Sequence, residues 1–397
     1  MDPNFAMAHV SLGFALYSQG RRDEAIDHYQ QALRIDPKSA GAHLNLGGAL
    51  RAKGRLVEAI GQFQQALSIE PNSAAARGWL GGTLYPAARA AIRQAAGPGP
   101  EDGRPGEPDR ARQRRQALDW LRANLDLLPK LPDNGRVMGL SLAAWQTDPV
   151  LASVRDPAAL AKLPEAERAE WQRLWADVAT AIAADPVDQG WGCAARRDWA
   201  GAAECYVRAL ERGPTEDGPF WFEYAALMLL SGDRPGYARA CARMVERCGK
   251  PGGPRSYHVA RACTLAPDAV TDAALPDGLA EQELRANSGQ FWSLAEQGAL
   301  AYRAGRFEQA VTFLEQSLRT DSSPGRAVVN WLWLALANQR LGKSEEARRW
   351  LGKAQAWLDK YEDAMPSPAD AQLGLHLHNW LEAHVLRREA EALLGPR

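Results

Sequence analysis

Apolar and polar positions follow the period of a helix along this chain, and the helical stretches come in pairs. Residues 6 to 19 place Val10, Leu12 and Leu16 at helical spacing, and Gly20 stands where a left-handed residue ends a helix. Residues 22 to 35 make a second helix: Asp23 and Glu24 in its first turn complement the helix dipole, and Pro37 stops it. Gly13 on the first helix and Ala25 on the second lack bulk, which lets the two axes approach. Tyr29 and Ala32 are expected to offer a large and a small surface to the neighbouring pair. A single pair cannot bury its apolar face, so successive pairs are expected to stack.

The pair recurs. Residues 40 to 73 match residues 6 to 39 at 19 of 34 positions without a gap, including Leu12/Leu46, Gly13/Gly47, Gly20/Gly54, Ala25/Ala59, Ala32/Ala66 and Pro37/Pro71. Leu80, Gly81 and Leu84 open a third copy, which runs into Pro86 and then a stretch from Gly97 to Pro108 with four Pro and four Gly. That stretch reads as a flexible insertion, with a closing helix resuming at Asp109 and turning Ala117, Leu118 and Leu121 inward.

The period predicts an N-terminal block over residues 1–128 and an irregular helical linker over 129–185. The linker is broken at Asp148-Pro149, Asp156-Pro157 and Leu163-Pro164 before a helix from Glu165 to Ala184. A second block over 186–361 holds copies at 186–217, 218–251, 291–324 and 328–361. The first of these shows a clear second helix (Ala202, Tyr206, Ala209, Pro214), while Gly190 to Gly192 count against its first. The later copies keep Trp221, Ala225, Gly232 and Tyr237, then Gly298, Gly305, Ala310 and Leu314, then Trp331, Leu334, Ala335, Gly342, Ala347 and Ala354. A capping helix is expected within 362–397.

The succession of Leu-Gly, Ala, aromatic, Ala and Pro over each period resembles the tetratricopeptide repeat. The resemblance implies an all-α solenoid of antiparallel helix pairs and a role in protein interaction. The run Asp148-Pro149-Val150-Leu151-Ala152-Ser153-Val154-Arg155-Asp156-Pro157, together with Ala262-Cys263-Thr264-Leu265-Ala266-Pro267 and Leu386-Arg387-Arg388-Glu389-Ala390-Glu391, is similar to the repeat-bearing C-terminal regions of planctomycete serine/threonine protein kinases. That second resemblance implies a signalling-associated scaffold in a bacterium, with a kinase among its candidate partners. It also leaves open that the chain is the regulatory part of a kinase. The kinase catalytic motifs themselves are missing: there is no Gly-rich phosphate loop, no His-Arg-Asp and no Asp-Phe-Gly.

Stacked pairs expose a concave face made by their first helices. The residues expected to be spare on that face are Tyr17, Ser18, Asn45, Arg51, Tyr302, Arg303, Gln339 and Arg340, a mixture of aromatic, amide and guanidinium groups suited to an extended peptide with acidic side chains. The counterparts of Asn45 are Ser11 and Trp79, so no asparagine ladder runs along the face. The Lys, Asn and Arg set that grips a terminal carboxylate in chaperone-binding members is also absent.

Charge narrows the partners. Lys and Arg number 47 against 48 Asp and Glu, a net charge of −1, which argues against nucleic acid as the ligand. No apolar run approaches the roughly 20 residues that span a bilayer, and no export signal opens the chain, so a cytoplasmic protein without a membrane partner is expected. Cys193, Cys205, Cys241, Cys248 and Cys263 form no C-x-x-C pair and read as reduced small hydrophobes. His376 and His378 point about 200° apart on a helix that also holds His384, the wrong spacing for a metal. His9 and His43 recur with the repeat, and most of the fourteen tryptophans are expected in the core. Arg110, Arg112, Arg114 and Arg115 read as a solvated helix start. No arrangement of nucleophile, base or paired carboxylates stands out, so neither enzyme activity nor a cofactor is predicted.

Overall fold

In the first two copies of the period a glycine sets the turn between two antiparallel helices. α1 (Pro3–Ser18) and α2 (Arg22–Ile35) are followed by α3 (Ala40–Ala52) and α4 (Leu56–Ile69). Gly20 and Gly54 take φ of 79° and 76°, a region a side chain disfavours. The turn closes as Gly20 donates its N–H to the Tyr17 carbonyl and Arg21 to that of Leu16, which satisfies carbonyls at the end of α1. Ser39 and Ser73 then start the next helices by accepting from the backbone N–H of Ala42 and Ala76, both at 3.3 Å.

This computed structural model describes residues 3–96, 106–131, 142–212, 218–249, 256–361 apart from 268, 271 and 273, and 375–395 apart from 376. Among the described residues every regular element is a helix. They divide into two units, Met1–Ser141 with Asp148–Thr180 and Leu142–Thr147 with Ala181–Arg397.

Within a pair, a residue with no side chain on the first helix lies under a large side chain sixteen positions later. A Cβ on Gly13 would sit 2.7 Å from the Tyr29 ring, on Gly47 2.5 Å from Phe63, on Gly190 2.9 Å from Tyr206 and on Gly298 2.6 Å from Leu314. Tyr29 therefore covers Gly13 of its own pair. Tyr29, Phe63, Tyr206 and Leu314 are all fully buried, and the helix axes are held at the distance these rings allow.

In the first unit the third pair departs from the expected form. α5 (Ala74–Ala95) continues through Pro86 and pairs with α6 (Glu107–Leu127). Proline costs a helix hydrogen bond. The turns beyond it bury Ala87, Ala88, Ala91 and Ile92, and they carry Arg89 to Asp148, where Nε lies 2.6 Å from Oδ2 with both side chains buried. Tyr85 donates to the same carboxylate at 2.7 Å. Asp148 also caps the turn after it by accepting from Val150 N–H at 2.9 Å, so the Asp148-Pro149 break is an anchoring point on α5. α6 begins two residues before the expected Asp109, with Pro108 in its first turn; residues 97–105 of the expected insertion lie outside the described residues. Arg114 is not solvated: it lies between Glu107 (2.7 Å) and Glu167 (2.6 Å), the latter on α10 (Glu165–Ala184), which follows the short helices α8 (Ala152–Arg155) and α9 (Pro157–Leu160). Arg115 pairs with Glu170 of the same helix.

The second unit begins with α7 (Leu142–Thr147), which packs on α11 (Pro186–Ala195). The glycines expected to disfavour α11 do not break it, because Gly190 supplies the close approach that α12 (Trp199–Arg212) needs. Pairs follow as α13 (Gly218–Leu230) with α14 (Arg234–Cys248), α15 (Ser256–Thr264) with α16 (Leu275–Ala286), α17 (Phe291–Arg303) with α18 (Phe307–Thr320) and α19 (Pro324–Arg340) with α20 (Ser344–Lys360). The α15–α16 pair falls between two expected copies and has no counterpart in the sequence reading.

The C-terminal helix α21 (Leu377–Leu394) does not lie only against the last pair. It packs on both α13 and α19, first helices of pairs that have two other pairs between them along the chain, and so lies across the inner side of the array.

The Gly47 contact gives a direct test. Gly47→Val is expected to cost about 2 kcal/mol of unfolding free energy by overpacking against Phe63, and Phe63→Ala alone about 3–5 kcal/mol. In a double-mutant cycle by urea denaturation the pair should cost less than the sum, since the valine then occupies the space the ring has left.

Candidate functional site

The inner face of the first unit is built by α1, α3 and α5, which neighbour one another directly. On α1, Met7, Phe14 and Tyr17 share a face by helical spacing. Met7 is 70% exposed, Phe14 60%, and Tyr17 half-buried against the core. The repeat places Gly41, Gly48 and Arg51 of α3 at the positions equivalent to these three. A Cβ on Gly41 or Gly48 would meet nothing within 4 Å. Next to the apolar strip of α1, α3 therefore offers a surface stripped of side chains, with half-buried Asn45 about 60° to one side of Gly48 and Arg51 about 60° to the other.

Arg51 is held there by Trp79 of α5. Its guanidinium lies 5.2 Å from the Trp79 ring, which stacks on Phe63 with centroids 6.2 Å apart and stays 37% exposed. Burial pulls the Arg51 pKa below its ordinary value, and Tyr17 nearby opposes this. The cation keeps its charge but is poorly hydrated, so an arriving carboxylate meets a group already part-desolvated. Ser18 is exposed, and its hydroxyl donates to the Phe14 carbonyl at 3.0 Å. The structure thus brings Tyr17, Asn45 and Arg51 to one face. Phe14 and Trp79 join them; the sequence reading did not select these two, although Phe14 lies three residues before Tyr17 on the same helix face.

In the second unit the corresponding residues are committed elsewhere, which corrects the expectation that they are spare. Tyr302 is 4% exposed, wedged against Trp333 at 5.4 Å and Phe307 at 5.5 Å, and burial pushes its hydroxyl pKa up against the opposing Arg340. Arg303 makes two bonds to Glu389 of α21 (2.6 and 2.7 Å) and donates to the carbonyls of Thr264 (2.6 Å) and Leu265 (2.8 Å). Its guanidinium also lies 4.8 Å from the Trp333 ring. Gln339 is half-buried; Arg340 is exposed, beside a cavity of about 440 Å³ bordered by Leu230, Leu265, Arg388 and Glu389.

The reason for this commitment is α21. Arg303 holds its Glu389, and Arg261 of α15 holds its Glu382 at 2.5 Å and Asn379 at 2.9 Å. Arg388 donates to the Leu230 carbonyl at the end of α13 (2.5 Å), and Gln355 of α20 to Glu391 at 2.8 Å. Trp380 meets Trp199 at a tilt, with centroids 5.7 Å apart, and Arg197, at a φ of 62°, lies 4.8 Å over the Trp380 ring and bonds to His384. His384 is buried, and desolvation with Arg197 beside it holds its pKa well below the ordinary histidine value. It packs against the Trp199 and Trp380 rings; His376 lies outside the described residues.

Beneath α21 sits a buried charged group. Arg261 Nε is 3.3 Å from Glu296 Oε2 and its other nitrogen serves Glu382, whose second oxygen accepts from Trp333 Nε1 at 3.4 Å. Burial pushes Glu296 up to about 8; Arg261 opposes the shift and Glu382 adds to it. Among the described residues no group of three His, Cys, Asp or Glu side chains is placed to hold a metal. No described helix is long and apolar enough to cross a membrane. Cys205, Cys241 and Cys263 are buried thiols and Cys193 is half-buried.

Stacked antiparallel helix pairs define a helical-repeat protein, and comparison with known families says which repeat it carries. Residues 13–50 match the TPR repeat family model and residues 40–73 the tetratricopeptide repeat model. No curated protein matches the sequence. Among solved structures, the chain is similar to the TPR domain of P58(IPK) at 14% identity, over 98% of each chain, with a TM-score of 0.23. It is similar to yeast Tom70 at 11% identity, over 98% of this chain and 96% of that one, with a TM-score of 0.30. The Cut9–Hcn1 hetero-tetramer of the APC/C matches at 12% identity over 95% of each chain, with a TM-score of 0.29.

Two outcomes follow. Arg303→Ala should destabilise the second unit by about 3 kcal/mol or more, because it leaves Glu389 part-buried without its partner; denaturant unfolding followed by tryptophan fluorescence checks this. For Glu296, the raised pKa means that between about pH 4.5 and 8 the folded chain keeps a proton the unfolded chain has released. The stability due to this group is present below that window and lost as pH rises through it. Glu296→Gln should remove this loss, so its stability relative to the parent should increase from pH 5 to pH 8 in urea titrations.

Proposed function

We propose that the first unit binds an extended segment of a partner protein along α1, α3 and α5, and that the chain acts through that contact as a non-catalytic scaffold. The observation that carries this is the bare surface at Gly41 and Gly48, flanked by Met7, Phe14 and Tyr17 on one side and the Arg51–Trp79 pair beyond. A bare strip lets a partner backbone approach closely, and the aromatic strip takes its apolar side chains. Arg51 and Asn45 then suit an acidic side chain and a backbone amide. Tetratricopeptide repeats over residues 13–73 fit such a role.

The second unit is not a second copy of this site, because α21 lies where the segment would lie. Of the residues expected to bind there, Tyr302 and Arg303 serve that packing, and Arg340 keeps an exposed guanidinium. A serine/threonine kinase is a candidate partner on the sequence resemblance of residues 148–160 and 262–267, and signalling or complex assembly in a bacterium is the corresponding setting.

Selection of displayed random peptides on the full chain tests the reading. Enriched peptides should combine an apolar with an acidic position. Gly48→Leu, which fills the bare strip at an open position, and Arg51→Glu should each weaken binding about ten-fold or more while leaving the melting temperature within a few degrees. Peptides held equally by both variants would contradict it.

A further inference from the structure

A cavity of about 440 Å³ in the second unit lies among α15, α17, α19 and α21. Glu283 and Arg326 are exposed at its mouth, Tyr257 and Trp292 are half-buried along its wall, and Glu296 and Asn330 are buried within it at 4% and 1% exposure. Tyr257 and Trp292 meet edge to face with centroids 5.1 Å apart.

Two buried oxygens in this cavity have no hydrogen-bond partner, Asn330 Oδ1 and Glu296 Oε1, the second an acceptor once the side chain is ionised. The amide cannot turn to cure this. Ser317 spends its proton on the Phe291 carbonyl at 2.7 Å, so its oxygen must accept, and Asn330 Nδ2 donates to it at 2.8 Å. Asn330 Oδ1 is thereby fixed as the unpaired atom. The nearby cations are taken: Arg261 serves Glu382 and Asn379, and Arg326 pairs with Asp321 at 3.0 Å. Two carboxylates, Glu296 and Glu382, face one guanidinium, Arg261, with Glu283 adding negative charge at the mouth. A buried acceptor without a partner is unfavourable, so the cavity calls for a ligand with several N–H donors, a positive charge and a flat face.

We propose that this cavity binds a guanidinium group, its N–H donors on Glu296 and Asn330 and its plane and stem against Trp292 and Tyr257. A guanidinium suits the site better than an ammonium because it is planar, more weakly hydrated and able to serve acceptors on two helices at once. The source is either a free small molecule or an arginine side chain of a protein, and the two share this chemistry. The site does not depend on the groove of the first unit.

The test is calorimetric titration of the full chain at pH 8.5 with agmatine, with acetyl-Gly-Arg-Gly-amide, and with the tripeptide carrying neutral citrulline in place of arginine. Saturable binding of agmatine, of the arginine tripeptide or of both is expected, and none of the citrulline peptide. Agmatine alone assigns a free ligand, the tripeptide alone a protein side chain, and both a site open to either. Glu296→Gln should weaken the cation about ten-fold or more with the melting temperature retained. Trp292→Ala, at a part-exposed wall position, should weaken it several-fold. No saturable binding of either cation, equal binding of the citrulline peptide, or unchanged affinity in Glu296→Gln would overturn the proposal.

Discussion

The contact on which the rest depends is the large side chain laid over a glycine inside four of the helix pairs. Gly13 under Tyr29 and Gly47 under Phe63 hold their pairs at a distance no side-chain-bearing residue would permit, and Gly190 under Tyr206 and Gly298 under Leu314 do the same in the second unit. That spacing determines where the next first helix can pack and therefore which residues of α1, α3 and α5 are left facing outward. It also explains why a sequence as divergent as 186–217 still forms the pair: it keeps the glycine and the ring sixteen residues apart and changes nearly everything else.

The two units use the same pair to opposite ends. In the first, the inner face stays open and carries an apolar strip beside two bare glycine positions. In the second, the inner face is covered by α21, and residues such as Arg303 and Arg261 spend their charge on Glu389 and Glu382. Buried ion pairs of this kind return little net stability for their desolvation, but they fix the register of the helix they hold. Here they leave a residue of unmet polarity at Glu296 and Asn330.

Much of this was legible beforehand where the pattern was local. The helices of the first two pairs, their glycine turns, and Tyr17, Asn45 and Arg51 on one face follow from the period. What was not legible depends on contacts distant in sequence. The continuation of α5 through Pro86 is stabilised by Asp148, sixty-two residues further on. The burial of Tyr302 and Arg303 depends on α21, whose position no repeat spacing encodes. Gly190 is ambiguous in the sequence, because a glycine that breaks a helix and a glycine that permits a close crossing look the same until the partner ring, Tyr206, is placed against it. Trp79 reads as a departure from asparagine at its position, whereas its ring holds Arg51.

On the proposed reading the open face of the first unit, and not the covered face of the second, receives a protein segment. Amide hydrogen exchange of the full chain, with and without a saturating selected peptide, separates the two faces. New protection is expected in α1, α3 and α5, with unchanged exchange in α13, α19 and α21. Protection gained on α15, α17 and α19 together with faster exchange in α21 would contradict it, since that pattern would mean the segment displaces the helix from the second unit.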